Sequence, residues 1–461
     1  MPKGLFGPLG LLLVNAGLAV AQPPLTAPGP HQVPASLAPP TVAAPPGTLP
    51  FTPTPAPATS DRCLAEGEDC GPKSRAWLSA EYLLWWTKQS PEPVPLATSR
   101  APGAAAVPGV PPPGALGGSG TSVVLGGSPI DLGTRYGGRF TAGCWLDCER
   151  RLGVEAGYFL LPDRTVTRST GTTGLRGSPV LGVPFFDVSG KLSGTGAPGE
   201  AVSSPAGPGD GSPSLAGTFT LATSSALRGA EANGVYTFDE GGSLRVEALA
   251  GFRWVQLRED LTFSTARGAL PGGPAALLGA FSDTVDAFGT RNDFYGGQVG
   301  ARAEYAWGKL TARAAAKVAL GATHQVADVN GANVTNLFAI AATGPTVTVP
   351  GGAFAQPSNS GRHARDRFAV VPQVDLSAGY DVTNWARLTA GYSLLYLSDV
   401  ARPGDQIDRD INPTRTGLSA AQRAAGVPLA PAAVGPAAPA FSFRGSSYWA
   451  QGLGIGLELR Y

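Results

Sequence analysis

The end of the chain alternates with a period of two. Trp449, Leu453, Ile455, Leu457, Leu459 and Tyr461 take every second position, broken only by Gln451, and Ala450, Gly452, Gly454, Gly456, Glu458 and Arg460 fill the positions between. Side chains of a strand point alternately to its two faces, so this segment reads as a strand with one large apolar face and one small or charged face. Lipid suits the first and a crowded polar interior the second. The pattern recurs upstream at 78–86, 139–146, 152–158, 230–238, 244–254, 295–305, 310–320, 373–380 and 387–396. The links at 147–151, 239–242, 306–309 and 381–385 are short, whereas those at 87–138, 162–225, 259–293, 322–367 and 398–446 are long and rich in Gly, Pro, Ser and Ala. This asymmetry belongs to outer-membrane barrels, with tight periplasmic turns and long external loops, and a soluble sandwich gives no reason for it.

The expected fold is therefore all-β: a closed antiparallel up-and-down transmembrane β-barrel of about 10 strands (10 to 12) over residues 76–461. Segments 123–132 and 183–188 leave room for an added hairpin or for longer strands. Composition narrows the alternatives. The 64 Gly and 44 Pro interrupt nearly every region, which disfavours long amphipathic helices. Past the N-terminus no apolar run reaches the roughly 18 residues of a membrane helix, so a barrel is the remaining way to span a bilayer. With 34 Lys and Arg against 33 Asp and Glu, no net charge draws the chain to nucleic acid.

At the N-terminus, Lys3, an apolar run at 9–20 and the sequence Ala19-Val20-Ala21 read as a signal peptide over 1–21. Residues 22–60 are mostly Pro, Ala and Thr with almost no charge, a composition that buries too little apolar surface to fold and suits a disordered linker reaching other envelope components. The segment 61–75 precedes the barrel and holds Cys63 and Cys70, and Cys144 and Cys148 form a second local pair. In the oxidising compartment that export implies, these are disulfide candidates, within each pair or between pairs. Glu66, Glu68 and Asp69 lie between the first two cysteines. Carboxylates of an exposed loop are usually solvated, so no metal site or cofactor is expected.

With the apolar faces toward lipid, the other faces carry Arg139, Arg245, Arg253, Arg302, Arg313, Lys317, Arg387 and Arg460 against Glu81, Glu155, Glu231, Glu247, Glu304, Asp375 and Glu458. An interior of about ten strands holds side chains and little else. Two readings follow: a narrow charged lumen passing small polar solutes, or a non-conducting barrel with an ion-paired plug, serving as an envelope anchor or surface-display scaffold. Arg302 and Glu304, like Arg245 and Glu247, share a face two residues apart, and each is expected to pair across to a neighbouring strand. Catalysis is not expected. His31, His324 and His363 fall in the linker or loops, His324 reads as a loop hydrogen-bonder, and neither a G-x-S-x-G elbow nor a P-loop occurs.

Several stretches resemble the β-barrel porin 7 family of outer-membrane barrels: AWLSAEYLLWW (76–86), GGRFTAGCWLDCERRLGVEAGYF (137–159), GAEANGVY (229–236), GFRWVQLREDL (251–261), RNDFYGGQVGARAEYAWGKL (291–310), KVALGATHQ (317–325) and RPGDQIDRDINPT (402–414). The resemblance runs from about residue 75 to Tyr461, omits the proline-rich linker, and implies a porin-like barrel with no catalytic residues to carry over. The expected location is a Gram-negative outer membrane after export, with lipid as the surroundings. The terminal alternation ending in Tyr461 resembles the insertion signal read by the barrel-assembly machinery.

Overall fold

The structure, a computed structural model, describes residues 75–102, 114–193, 197–206, 215–238, 242–270, 279–336, 344–427 and 430–461. The expected signal peptide and linker, His31, Cys63, Cys70 and the acidic residues between these cysteines lie outside them. The first eight strands are β1 (Ala76–Thr87), β2 (Pro95–Arg100), β3 (Thr121–Gly126), β4 (Arg135–Trp145), β5 (Leu152–Thr172), β6 (Val180–Asp187), β7 (Gly199–Ala206) and β8 (Leu215–Thr237). Next come β9 (Leu244–Ala269), β10 (Phe281–Trp307), β11 (Leu310–Thr335), β12 (Val347–Pro350), β13 (Gly361–Asp381), β14 (Ala386–Ala401), β15 (Asp410–Ile411) and β16 (Gly445–Arg460). One α-helix, α1, covers Gly417–Ala424. Among the described residues no helix is long and apolar enough to cross a membrane.

The large sheet is antiparallel, in the order β10-β9-β8-β5-β4-β1-β16-β14-β13-β11, with β12 beside the end of β11. β10 is also paired with β11, from Ser282 opposite Thr335 down to Trp307 opposite Leu310. The first and last strands are neighbours, with Trp77 opposite Arg460 and Thr87 opposite Ala450. At one end the links are short: Gly308, at φ 60°, and Lys309 suffice to join β10 to β11, a position where glycine's freedom in the left-handed region matches the twist of a two-residue hairpin.

One face of this sheet exposes a band of large apolar side chains, among them Leu78, Tyr82, Phe140, Phe252, Leu376 and Ile455, the last 59% exposed. Residues of the other face meet across the sheet, as Arg302 of β10 meets Glu155 of β5, and it is called the inner face below.

Three expectations are corrected. The described residues hold sixteen strands rather than 10 to 12. The ten alternating segments correspond to the ten long strands, which run well past the segments read from the sequence: β8 starts at Leu215 and β9 ends at Ala269. Segments expected as loops supply β2, β3, β6, β7 and β15, which form a second sheet in the order β15-β6-β2-β3 with β7 on β6. Residues 123–132 and 183–188 thus contribute to a separate sheet instead of extending the barrel strands. His324 and His363 lie in β11 and β13 rather than in loops; His324 Nδ1 is 2.8 Å from Asp366 on the neighbouring strand, and His363 stacks on Phe441.

The second sheet covers the long-loop end of the inner face. Its Leu96, Leu125, Leu181, Val183 and Phe185 pack with Phe219, Leu221, Leu261, Phe263 and Phe288 of the long strands in one buried apolar cluster. Burying such side chains contributes about 1.5–3 kcal/mol each, so this cap has a core of its own. Asp286 fixes the link between β12 and β13 into the same cluster: its carboxylate accepts the backbone N–H groups of Ala353, Phe354 and Ala355 at 2.7–2.9 Å.

Candidate functional site

The inner face of β9 shows how the interior is layered. From the short turns outward it carries Arg245, Glu247, Leu249, Gly251, Arg253, Val255, Leu257, Glu259, Leu261 and Phe263. Charges come first, then an apolar step, then one buried carboxylate, then the core of the cap. β8 repeats the order with Glu231, Leu227 and then Leu221 and Phe219.

All fifteen charged residues picked out by alternation sit on the inner face, in three groups. Arg302 donates to Glu247 at 2.5 Å and to Glu155 at 2.8 Å. Arg313 donates to Glu304 at 2.7 and 2.9 Å and to Glu458 at 3.1 Å. Arg387 holds Asp381 at 2.6 Å and Glu304 at 3.2 Å, and Arg460 holds Glu458 at 2.8 Å. In the third group Glu231 accepts from Arg253, from Lys317 at 2.5 Å and from Gln298 at 3.1 Å. Arg139 reaches Asp375 at 3.3 Å and Glu81 at 3.5 Å. A cavity of about 130 Å³ lies among these side chains. Withdrawn from water, each charge is tolerable only because a partner sits within hydrogen-bonding reach.

The pairing expected at Arg245 is corrected. Arg245 binds Glu247 of its own strand at 2.9 Å and lies over the Trp145 ring at 4.4 Å. The aromatic face supplies the second contact that a neighbouring carboxylate was expected to give.

Beyond the charges lies the apolar step. Leu83, Trp85, Leu161, Leu227, Val255, Leu257, Phe294, Ala319, Val371, Leu395 and Tyr448 belong to one buried cluster, drawn from nine of the ten long strands. Each of these is at most 1% exposed.

Above this layer Arg402 and Glu259 form an ion pair with no solvent exposure at 2.6 and 2.7 Å, and Arg402 also donates to the Gln89 carbonyl. Glu92 is buried with neither carboxylate oxygen hydrogen-bonded. Burial pushes its pKa up to about 8, against the partial relief offered by Arg402. None of these three was picked out from the sequence. The available signal was the polar run at 402–414 inside a Gly, Ala and Pro-rich link, a stretch that already carried the family resemblance.

Of the terminal residues, Leu453, Ile455, Leu457 and Tyr461 are exposed on the apolar face, with Trp449 and Leu459 half-buried beside them. Cys144 is buried on β4, and Cys148, in the following turn, accepts a hydrogen bond from Arg75 at 3.2 Å.

The profile of the family described as "Putative beta barrel porin-7" matches residues 77–461. The chain belongs to this family. As a porin-7 chain it is an outer-membrane-type barrel protein, and its exposed apolar band is the surface that meets lipid. No curated protein matches it. Among solved structures, the outer membrane protease OmpT from Escherichia coli is 10% identical over 84% of this chain and 97% of that one, with a TM-score of 0.33. A FadL homologue of Pseudomonas aeruginosa is 7% identical over 84% and 90%, with a TM-score of 0.20. An anion-selective porin from Comamonas acidovorans is 10% identical over 84% and 100%, with a TM-score of 0.16. At such scores none of these likenesses bears on what this chain does.

Proposed function

We propose that this porin-7 chain is a closed ten-stranded barrel of the Gram-negative outer membrane whose interior does not conduct, and that it serves as a scaffold presenting the folded cap on the cell surface. Closure is supported by the pairing of β10 with both β9 and β11, which gives every long strand two neighbours. Under this reading the short turns and both ends of the barrel sequence face the periplasm, where the linker reaches other envelope components. The assembly machinery reads the terminal Tyr461 strand during insertion.

The apolar layer carries the non-conducting reading. Hydrated solutes need a continuous polar path, and a cross-section filled by Trp85, Leu257, Phe294 and Tyr448 with their neighbours offers none. The description of the family as a porin favours a second reading, passage of small polar solutes past the inner charges.

Planar-bilayer recording separates the two. The purified protein is expected to show no steady single-channel current, and Trp85→Ala with Leu257→Ala is expected to introduce leak by opening the layer. Steady currents from the unaltered protein would establish the second reading.

A further inference from the structure

The cap holds a pocket of about 220 Å³ that neither the sealed interior nor the lipid-facing band explains. Its floor is the far end of the inner face, where Arg267 of β9, Thr284 of β10 and Asn333 of β11 come together. Phe185 of the second sheet, with Ile411 and Leu418 from the segment around β15 and α1, forms an apolar side. Arg267 is the one charged residue among those lining it.

That guanidinium is poorly served by the protein. Nη2 donates to Ser282 Oγ at 3.3 Å, and Nε is shut from solvent with no partner. Among the described residues no carboxylate lies within ion-pairing distance of it. The acid that acts on it most, Asp283, is one position from the inward-facing Ser282 and therefore points to the opposite, exposed side of the sheet. Burial lowers the pKa of Arg267 to about 10, so the group stays charged throughout the physiological range. Every other inner-face arginine described above has a carboxylate partner.

We propose that this pocket binds a small organic anion, its carboxylate on Arg267 and its apolar body against Phe185, Ile411 and Leu418. A planar guanidinium offers parallel N–H donors that fit a carboxylate, and Thr284 and Asn333 add polar groups that fix its orientation. Convergent polar groups in a mostly apolar recess are the usual composition of a small-molecule site. Binding here goes beyond the scaffold reading and is independent of it, since conductance tests the barrel and equilibrium binding tests the pocket.

The test is titration calorimetry on the full-length protein in detergent micelles, with benzoate as the probe and the neutral isostere benzamide beside it. Benzoate is expected to bind at least tenfold more tightly than benzamide. Arg267→Gln is expected to lose that preference, Arg267→Lys to keep part of it, and Arg258→Gln, on the exposed face, to keep all of it. Heat-modifiable gel mobility reports whether each variant retains a folded barrel. Equal binding of the two probes, no benzoate binding at millimolar concentration, or undiminished preference in a folded Arg267→Gln protein would each overturn the proposal. Should Arg267→Gln not fold, the benzoate-to-benzamide ratio of the unaltered protein and of Arg267→Lys decides.

Discussion

Toward the short turns the inner face carries Arg302, Glu304, Arg313, Glu231 and Lys317; toward the long loops the same face, on β9 and β10, carries Leu261, Phe263 and Phe288. Both regions are buried, and they are filled by opposite chemistry. The difference comes from what lies outside. Where the outer face meets lipid, the large apolar residues are committed there, and the interior is left to charges that hold one another. Above the band the outer face meets water, so Arg258 and Asp260 point outward and the apolar residues turn inward as in any soluble protein.

Single substitutions can break this contrast. The largest effect is expected at Glu231, which holds Arg253 and Lys317 together. Glu231→Ala removes the carboxylate that both buried cations share, leaving Lys317 only Asp375 at 4.0 Å, and is expected to cost about 3–5 kcal/mol. It should appear as a lower heat-modifiability midpoint with no change in cap proteolysis, and an unchanged midpoint would mean that water reaches the charged layer freely.

Arg402→Met strands Glu259 at zero exposure and is expected to cost about 3 kcal/mol. The loss should be local, seen as protease cleavage in the cap while the barrel keeps its folded mobility. Adding Glu259→Met should restore most of the protection, because an apolar pair of similar volume removes the uncompensated charge.

Glu92 gives a smaller effect that depends on pH. Its folded pKa, about 8, lies above the value of an unfolded carboxyl. Below the unfolded pKa both states are protonated and nothing is lost. As pH rises toward 8 the unfolded chain sheds this proton first, so stability falls over that interval and levels off above it. Arg402, Glu259, Asp405 and Arg168 act on the same carboxyl. Glu92→Gln is expected to flatten the fall, raising the urea midpoint at pH 8 and leaving it almost unchanged at pH 4. A pH profile identical to the unaltered protein would show that Glu92 finds a partner in solution.

The smallest effect is expected at the exposed Arg258–Asp260 pair, 3.2 Å apart. Arg258→Ala should shift stability by less than about 0.5 kcal/mol, because solvent screens such pairs. A larger loss would show that the outer face above the band is covered.

The legibility of the sequence followed the same boundary. Inside the band a large apolar residue alternates with a charged or small one, as in Leu244, Arg245, Val246 and Glu247 of β9, so the ten long strands and their charged residues could be read directly. Past Leu257 the polarity of the alternation reverses, with Arg258 and Asp260 outward and Leu261 and Phe263 inward. With apolar residues placed outward throughout, the pattern ends there, and the rest of each strand reads as loop. Glu92, Glu259 and Arg402 went unseen because they are isolated charges in irregular or pattern-reversed stretches, far apart in the chain.

What the sequence alone determined is the terminal alternation and its nine upstream echoes: which residues share the apolar face, which share the inner face, and that the inner charges nearly balance. That follows from a side-chain period of two, a property of each strand by itself. Only the tertiary structure decided that the interior is layered, that five short loop strands build a second sheet, and that Arg267 faces a pocket without an acid to meet it. Those features arise from residues hundreds of positions apart brought to one height along the strands, and register across a sheet is set by the packing of all its members together.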